Sequence, residues 1–135
     1  MPGWGTGSFE NEDAESFLGR LNSLGIDDLR QILVGATDHD GYLEASESSI
    51  AVAAAEVVAA ALTGANTGAA PAAPQQISDW VSRNKAAAPS DLAGLARRAV
   101  ERVRTNSELT DLWLEAEGLN EWSASLRELE GRLNG

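Results

Sequence analysis

The most constraining feature of the sequence is a run of small apolar residues, IAVAAAEVVAAAL, from Ile50 to Leu62. Glu56 is the one charged residue in this run, so a helix formed by it is apolar on all sides and must be surrounded by protein. The run is shorter than the roughly 20 apolar residues that a membrane-spanning helix needs. We therefore expect a buried central helix from about Glu47 to Thr63, with Ser46 as its N-terminal cap and Gly64 as its end.

Apolar residues recur at helical spacing in most of the remaining chain, separated by residues that begin or end helices. Further helices are predicted over about 12–24 up to Gly25, from Asp27 to near Gly35, around 75–84, from Ser90 or Asp91, from Ser107, and after Asn120. Alanine and leucine outnumber β-branched and aromatic residues, and no run alternates long enough for a strand. The sequence predicts an all-α fold, a compact bundle of about six or seven helices around the Ala/Val-rich helix.

This bundle is expected to form one domain over residues 1–135, because neither half alone offers enough apolar residues for a core. Residues 1–10, rich in glycine, form an irregular N-terminal arm in this interpretation. Residues 64–76, GANTGAAPAAPQQ, are low in complexity and contain two prolines, so they are expected to form a flexible crossover between helices.

The chain is acidic, with a net charge of −11 that is unevenly distributed. Residues 1–56 hold 11 acidic and 2 basic side chains, a net of −9, and residues 57–135 hold 10 and 8, a net of −2. Such a charge repels nucleic acid and anionic membranes and attracts a basic partner, although it also serves solubility alone. The chain has no cysteine and its N-terminus lacks the features of a signal peptide, so a cytoplasmic location is expected.

The segment DHDGYLEASE, from Asp38 to Glu47, resembles a calcium-binding EF-hand loop in part. Placing Gly41 at the invariant loop glycine puts carboxylates at loop positions three, five and twelve. The first ligand position falls on Ala36, which has no carboxylate, and Ser46 suits the cap of a following helix. We expect a capped turn that leads into the central helix, with no metal bound.

The glycine arm GWGTG does not fit a phosphate-binding loop. It follows no predicted strand, lacks the lysine of such a loop, and leads into acidic residues. We expect no cofactor here, and we expect Trp4 and Phe9 to dock on the helices while Gly5 and Gly7 allow close approach. His39, the single histidine, lies in a polar turn and is expected to be solvated rather than catalytic.

An acidic cluster formed by Glu10, Glu12, Asp13 and Glu15 precedes and opens the first predicted helix, after Asn11 as its cap. Carboxylates at a helix N-terminus are stabilised by the helix dipole, which explains the cluster without a metal ion. The same residues are candidates for contact with a basic partner.

Glu56 lies among apolar residues in the helix that is expected to be central, and an unpaired buried charge is costly. Its carboxylate therefore needs a partner, such as Arg97 or Arg98, a tryptophan N–H, or backbone amides of the glycine arm. A structural ion pair is the expected role, and catalysis by Glu56 as an acid or base is the alternative.

The last predicted helix repeats leucine every seven residues, at Leu119, Leu126 and Leu133, with Trp122 and Leu129 between them. Two heptads are too few to specify a coiled coil. Core packing is the expected role of this stripe, and an exposed surface for self-association is the alternative.

The stretch WGTGSFENEDAESF, Trp4–Phe17, resembles a bacterial family catalogued as domain of unknown function 4259, whose members open with a Trp-Gly-x-Gly-x-Phe arm followed by Asn and acidic residues. The sequence is similar to this family also at GYLEASES, AAAEVVAAAL and SELTDLWLEA, which cover Gly41–Ser48, Ala53–Leu62 and Ser107–Ala116. The family has no established activity, so the resemblance implies no catalytic residues. It implies that GYLEASE begins a helix and does not bind metal.

The resemblance also implies a structural signature, formed by Trp4, Gly5, Gly7 and Phe9. We add to it two residues of the matching helices, Glu56 and Trp113.

We expect a small acidic helical protein that binds another protein, one version being an inhibitor or immunity protein for a basic partner. No catalytic residue is expected, and the chain is expected to be a monomer or a weak homodimer. The alternatives are an enzyme that uses Glu56 or the acidic cluster at 10–15, and a structural protein that self-associates through its last helix.

Overall fold

The computed structural model describes residues 12–38, 41, 43–63, 77, 79–80, 83 and 91–133. Six α-helices have described bounds: α1 Glu12–Arg20, α2 Ile26–Thr37, α3 Ala45–Thr63, α4 Asp91–Thr105, α5 Glu108–Glu115 and α6 Leu119–Leu133. No strand occurs in this part of the chain, so the predicted all-α bundle is confirmed. The arm at 1–10 and the crossover at 64–76 lie outside the described residues.

Helix α3 lies at the centre of the bundle, as its composition predicts, and packs against α1, α2, α4, α5 and α6. Its buried apolar residues follow one another around the whole helix: Ala51, Val52, Ala53, Ala54, Ala55, Val57, Val58, Ala59 and Ala61. Small side chains on several sides allow neighbouring helices to approach closely. In the described part of the chain, no helix is both long and apolar enough to cross a membrane.

Helix α4 contributes the other large apolar surface of the core and packs against α2, α3 and α6. Its buried residues are those that the helical spacing predicts: Leu92, Leu95, Ala96, Ala99, Val100 and Val103. The opposite side of this helix carries the exposed Arg98 and Glu101. The amphipathic pattern therefore assigns the core face of α4 correctly.

Helix α1 begins at Glu12 as predicted, but its end and both ends of α2 differ from the prediction. The α-helix stops at Arg20, and a tighter 3-10 turn from Leu21 to Ser23 replaces its predicted end at residue 24. Helix α2 is capped by Gly25 and not by Asp27, because the Asp28 carboxylate accepts a hydrogen bond from the Gly25 N–H at 2.8 Å. It also continues past Gly35 to Thr37, since Gly35 is exposed and a glycine there weakens the helix without ending it.

The predicted short helix around 75–84 is described at Ile77, Asp79, Trp80 and Arg83, all of which are helical. Ile77 and Trp80 are each 1% exposed. The Trp80 indole N–H donates to the carbonyl oxygen of Leu24 at 2.8 Å. This bond satisfies the buried indole and joins the segment to the chain between the 3-10 turn and α2.

The C-terminal helices confirm one predicted cap and correct one predicted helix start. Ser107 caps α5, and its Oγ accepts from the Thr110 N–H at 3.3 Å. Helix α6 begins at Leu119 rather than after Asn120, because the Gly118 carbonyl accepts from the Trp122 N–H.

The apolar stripe of α6 is part of the monomer core. Trp122, Leu126, Leu129 and Leu133 are each at most 5% exposed, and Leu119 is half-buried. The stripe is therefore not exposed, as the alternative expected, since its side chains pack inside the bundle; self-association of the protein stays a prediction.

Candidate functional site

The predicted acidic cluster opens helix α1. Glu12 and Glu15 are exposed and Asp13 is half-buried, whereas Glu10 lies outside the described residues. These carboxylates stand in the first turn of α1 and Arg20 in its last, an arrangement that matches the helix dipole at both ends. Within the described ranges, no group of three or more His, Cys, Asp or Glu residues is placed to hold a metal ion.

The segment compared with a calcium loop is bonded to other parts of the fold. Ala36, at the first ligand position, is 3% exposed inside α2, and Asp38 follows that helix as its C-terminal cap. Gly41 has a left-handed φ of 92°, and its carbonyl oxygen accepts a hydrogen bond from Arg102 Nη2 at 2.6 Å. The Arg102 guanidinium, which belongs to α4, therefore forms a hydrogen bond with the carbonyl oxygen of this loop. His39, Asp40 and Tyr42 lie outside the described residues.

Helix α3 is capped by a residue distant in sequence, which corrects the prediction of Ser46 as cap. The helix begins one residue before Ser46, and the Glu108 carboxylate accepts from the Ala45 N–H at 2.8 Å. In return, the Glu108 N–H donates to the Leu43 carbonyl at 2.8 Å. The free N–H groups of a helix start and its positive dipole both favour such a carboxylate. Residue Glu108 thereby fixes the start of α3 to the start of α5.

Glu56 has an ion-pair partner, but not one of those expected. Arg132 of α6 binds it with two parallel hydrogen bonds, Nη1 to Oε1 at 2.8 Å and Nη2 to Oε2 at 3.2 Å. The two side chains are 14% and 19% exposed, which makes this a half-buried pair between α3 and α6. Arg132 Nε donates to Glu128, one turn earlier in α6. Burial lowers the pKa of Arg132, but the hydrogen bonds and charges of Glu56 and Glu128 outweigh it, and the pKa is raised.

A second half-buried pair joins α6 to α4. Arg104 Nε donates to Glu130 at 2.6 Å, and the two side chains are 18% and 14% exposed. Paired charges of this kind add little net stability over apolar residues, but removing one partner is costly. The two pairs thus fix the position of α6 against α3 and α4.

The outer side of α5 exposes a leucine that the sequence reasoning missed. Leu114 is 61% exposed, whereas the preceding Trp113 is 5% exposed and packs in the core. Glu115 and Glu117 are also exposed. No lysine or arginine occurs between Glu108 and Leu126, so every charged residue in the sequence around this apolar side chain is acidic. We call Leu114, Glu115 and Glu117 the Leu114 surface.

The turn that follows this surface has a defined geometry. Glu117 has a φ of 62°, the left-handed conformation that glycine usually supplies at a helix end. Its N–H donates to the Leu114 carbonyl at 3.3 Å, and the Gly118 N–H donates to the Trp113 carbonyl at 3.1 Å. A Cβ on Gly118 would lie 2.6 Å from the Trp113 ring, so the glycine is needed there for close packing. These bonds form a Schellman motif and fix the backbone of the turn that follows Leu114.

The helices and the placement of charge define a class, a small all-α protein with internal arginine–carboxylate pairs and exposed carboxylates. The chain matches the family model described as Domain of unknown function (DUF4259) over residues 3–125, and it belongs to this family. Glu128, Glu130 and Arg132 follow the matched region, so both ion pairs of α6 use residues beyond it. No curated protein and no solved structure matches the chain.

Trp4, Gly5, Gly7 and Phe9, the residues that carry the resemblance at the N-terminus, lie outside the described residues. Glu56 and Trp113 are described, one in an ion pair and the other in the core. Their place in a structural signature stays a prediction.

Proposed function

We propose that this chain is a protein-binding module that recognises a basic partner, in the manner of an inhibitor or immunity protein. The observation that carries the proposal is the exposure of the acidic side chains of this protein. Arg30, Arg102, Arg104 and Arg132 bind carboxylates or carbonyls of their own fold. Arg20, Arg83, Arg98 and Arg127 are exposed, but exposed carboxylates outnumber them in the described residues, with glutamates at the start of α1 and at the end of α5.

An acidic exterior of this kind accelerates the encounter with a basic protein and weakens contact with acidic ones. Both effects decrease with salt, because exposed charges are screened over about 8 Å at physiological ionic strength. The alternative of catalysis by Glu56 receives no support from its contacts, since both carboxylate oxygens accept from Arg132.

The experiment is a calorimetric titration of the protein with a synthetic peptide of lysine and serine. It is carried out at low and at high salt. A peptide of glutamate and serine of the same length is the control probe. We expect saturable binding of the lysine peptide that weakens steeply with salt and no binding of the glutamate peptide. Absence of saturable binding to the lysine peptide at low salt would contradict the proposal.

A further inference from the structure

We propose that the Leu114 surface is the docking site for a basic helical segment of a partner protein, one that presents an apolar side chain between lysines or arginines. This inference rests on the proposed function and names the site and the kind of partner. It concerns the end of α5, and not the acidic cluster of α1 that the sequence singles out.

The apolar centre of the site is an exposed helix face. Leu114 and Glu115 lie three and four positions after Asp111, and all three are exposed, so they share the outer side of α5. The side chain of Leu114 is 61% exposed, compared with 37% for Val34, the other large hydrophobic residue exposed in the described part of the chain. An apolar side chain with this much surface in water gains free energy when a partner covers it.

Charge complementarity selects the occupant. Glu115 and Glu117 follow Leu114 in the chain, and the nearest basic residue after them is Arg127. An acidic or phosphate-bearing partner is repelled here, as is an anionic membrane. A helix that places leucine against Leu114 and lysine or arginine beside the two glutamates satisfies both features, in the way that amphipathic helices dock on apolar faces.

The site is also held ready for binding. Hydrogen bonds from the Glu117 and Gly118 N–H groups close the turn, and Trp113 anchors α5 in the core directly before Leu114. A surface that is already ordered loses little conformational entropy when a partner binds.

The test uses two synthetic helical peptides, one of leucine and lysine at helical spacing and one with every leucine replaced by serine. Wild-type protein is compared with Leu114→Ser and with Val34→Ser, its matched control on α2. We expect the leucine–lysine peptide to bind wild type more tightly than the serine–lysine peptide does. Leu114→Ser should weaken its binding about tenfold, and Val34→Ser less than twofold. Circular dichroism checks that both variants keep the fold.

A second pair of variants tests the charges. Glu115→Gln with Glu117→Gln removes two carboxylates from the proposed site, and Glu12→Gln with Glu15→Gln removes two from α1. We expect the first pair to reduce the affinity for the leucine–lysine peptide several-fold more than the second.

Three results would overturn the inference. If neither peptide binds wild type, the proposed function fails and the docking site fails with it. If both peptides bind and Leu114→Ser behaves as Val34→Ser does, binding is by charge alone, so the function stands and this site is wrong. If the α1 pair is the more damaging one, the partner site is the acidic cluster at the start of α1.

Discussion

Removing the charge of Glu56 measures how firmly the ion pair holds α6 to α3. Glu56→Gln keeps the size of the side chain and leaves the Arg132 guanidinium paired with Glu128 alone. The loss lies between about 1 kcal/mol for a surface pair and about 3–5 kcal/mol for breaking a buried one, because Glu56 and Arg132 are 14% and 19% exposed. We expect a decrease of about 2 kcal/mol in the free energy of unfolding, which lowers Tm by roughly 8 °C.

Urea unfolding followed by circular dichroism gives the free energy, and scanning calorimetry gives Tm. Glu101→Gln is the matched control, since Glu101 is exposed on α4 and loses the same charge; it should change the free energy by less than about 0.5 kcal/mol. The double variant Glu56→Leu with Arg132→Met should recover most of the loss, because it leaves neither charge of the pair without its partner. Equal unfolding free energies for Glu56→Gln and Glu101→Gln would refute the reasoning.

Three further predictions concern single contacts. Glu117→Gly should raise the free energy of unfolding by about 1 kcal/mol in urea titrations, since glycine adopts the left-handed φ of 62° without strain; destabilisation would contradict this geometry. Gly118→Ala should lower it by about 2 kcal/mol and change the fluorescence of Trp113, whose ring lies 2.6 Å from the new Cβ; an unchanged spectrum and stability would show that the ring moves freely. The hydrogen bond from Arg30 lowers the pKa of Asp91 below its ordinary 3.8, so this pair contributes stability above that pH and loses it as the pH falls through the lower folded value. Asp91→Asn should flatten that part of the pH profile of Tm, and an unchanged slope below about pH 4 would contradict it.

The helical bundle and its centre follow from local sequence pattern. A run of alanine and valine around Glu56 has no solvent-facing side, so α3 must be enclosed. The face of α4 and the cap at Ser107 follow in the same way, because periodicity and capping are properties of residues within one or two turns of each other.

The remaining features depend on contacts between distant residues. Arg132 is 76 positions from Glu56, and no pattern along one helix shows which other helix it will meet. The predicted start of α3 is wrong for the same reason, since Glu108 caps this helix from 63 positions away. The Glu108 carboxylate, from another helix, competes with Ser46 as the cap of α3. The sequence does not show which of the two caps the helix.

The exposure of Leu114 is predictable from the sequence. Buried residues of α5 at Leu109 and Trp113 define its core side, and Leu114 falls outside that face. Its neighbours, Glu115 and Glu117, indicate the same orientation. A leucine beside a buried tryptophan is easily assigned to the core. Only its angular position around the helix distinguishes the exposed Leu114 from the buried Trp113.

The most direct test of the central claim is a map of where a basic partner binds. The protein is labelled with nitrogen-15 and titrated with the leucine–lysine peptide while its amide resonances are followed by NMR. We predict that the largest shifts occur at residues 111–121, around Leu114, and that they disappear in Leu114→Ser. Largest shifts at residues 12–15, or shifts spread evenly over the acidic surface, would contradict the assignment of the Leu114 surface as the binding site.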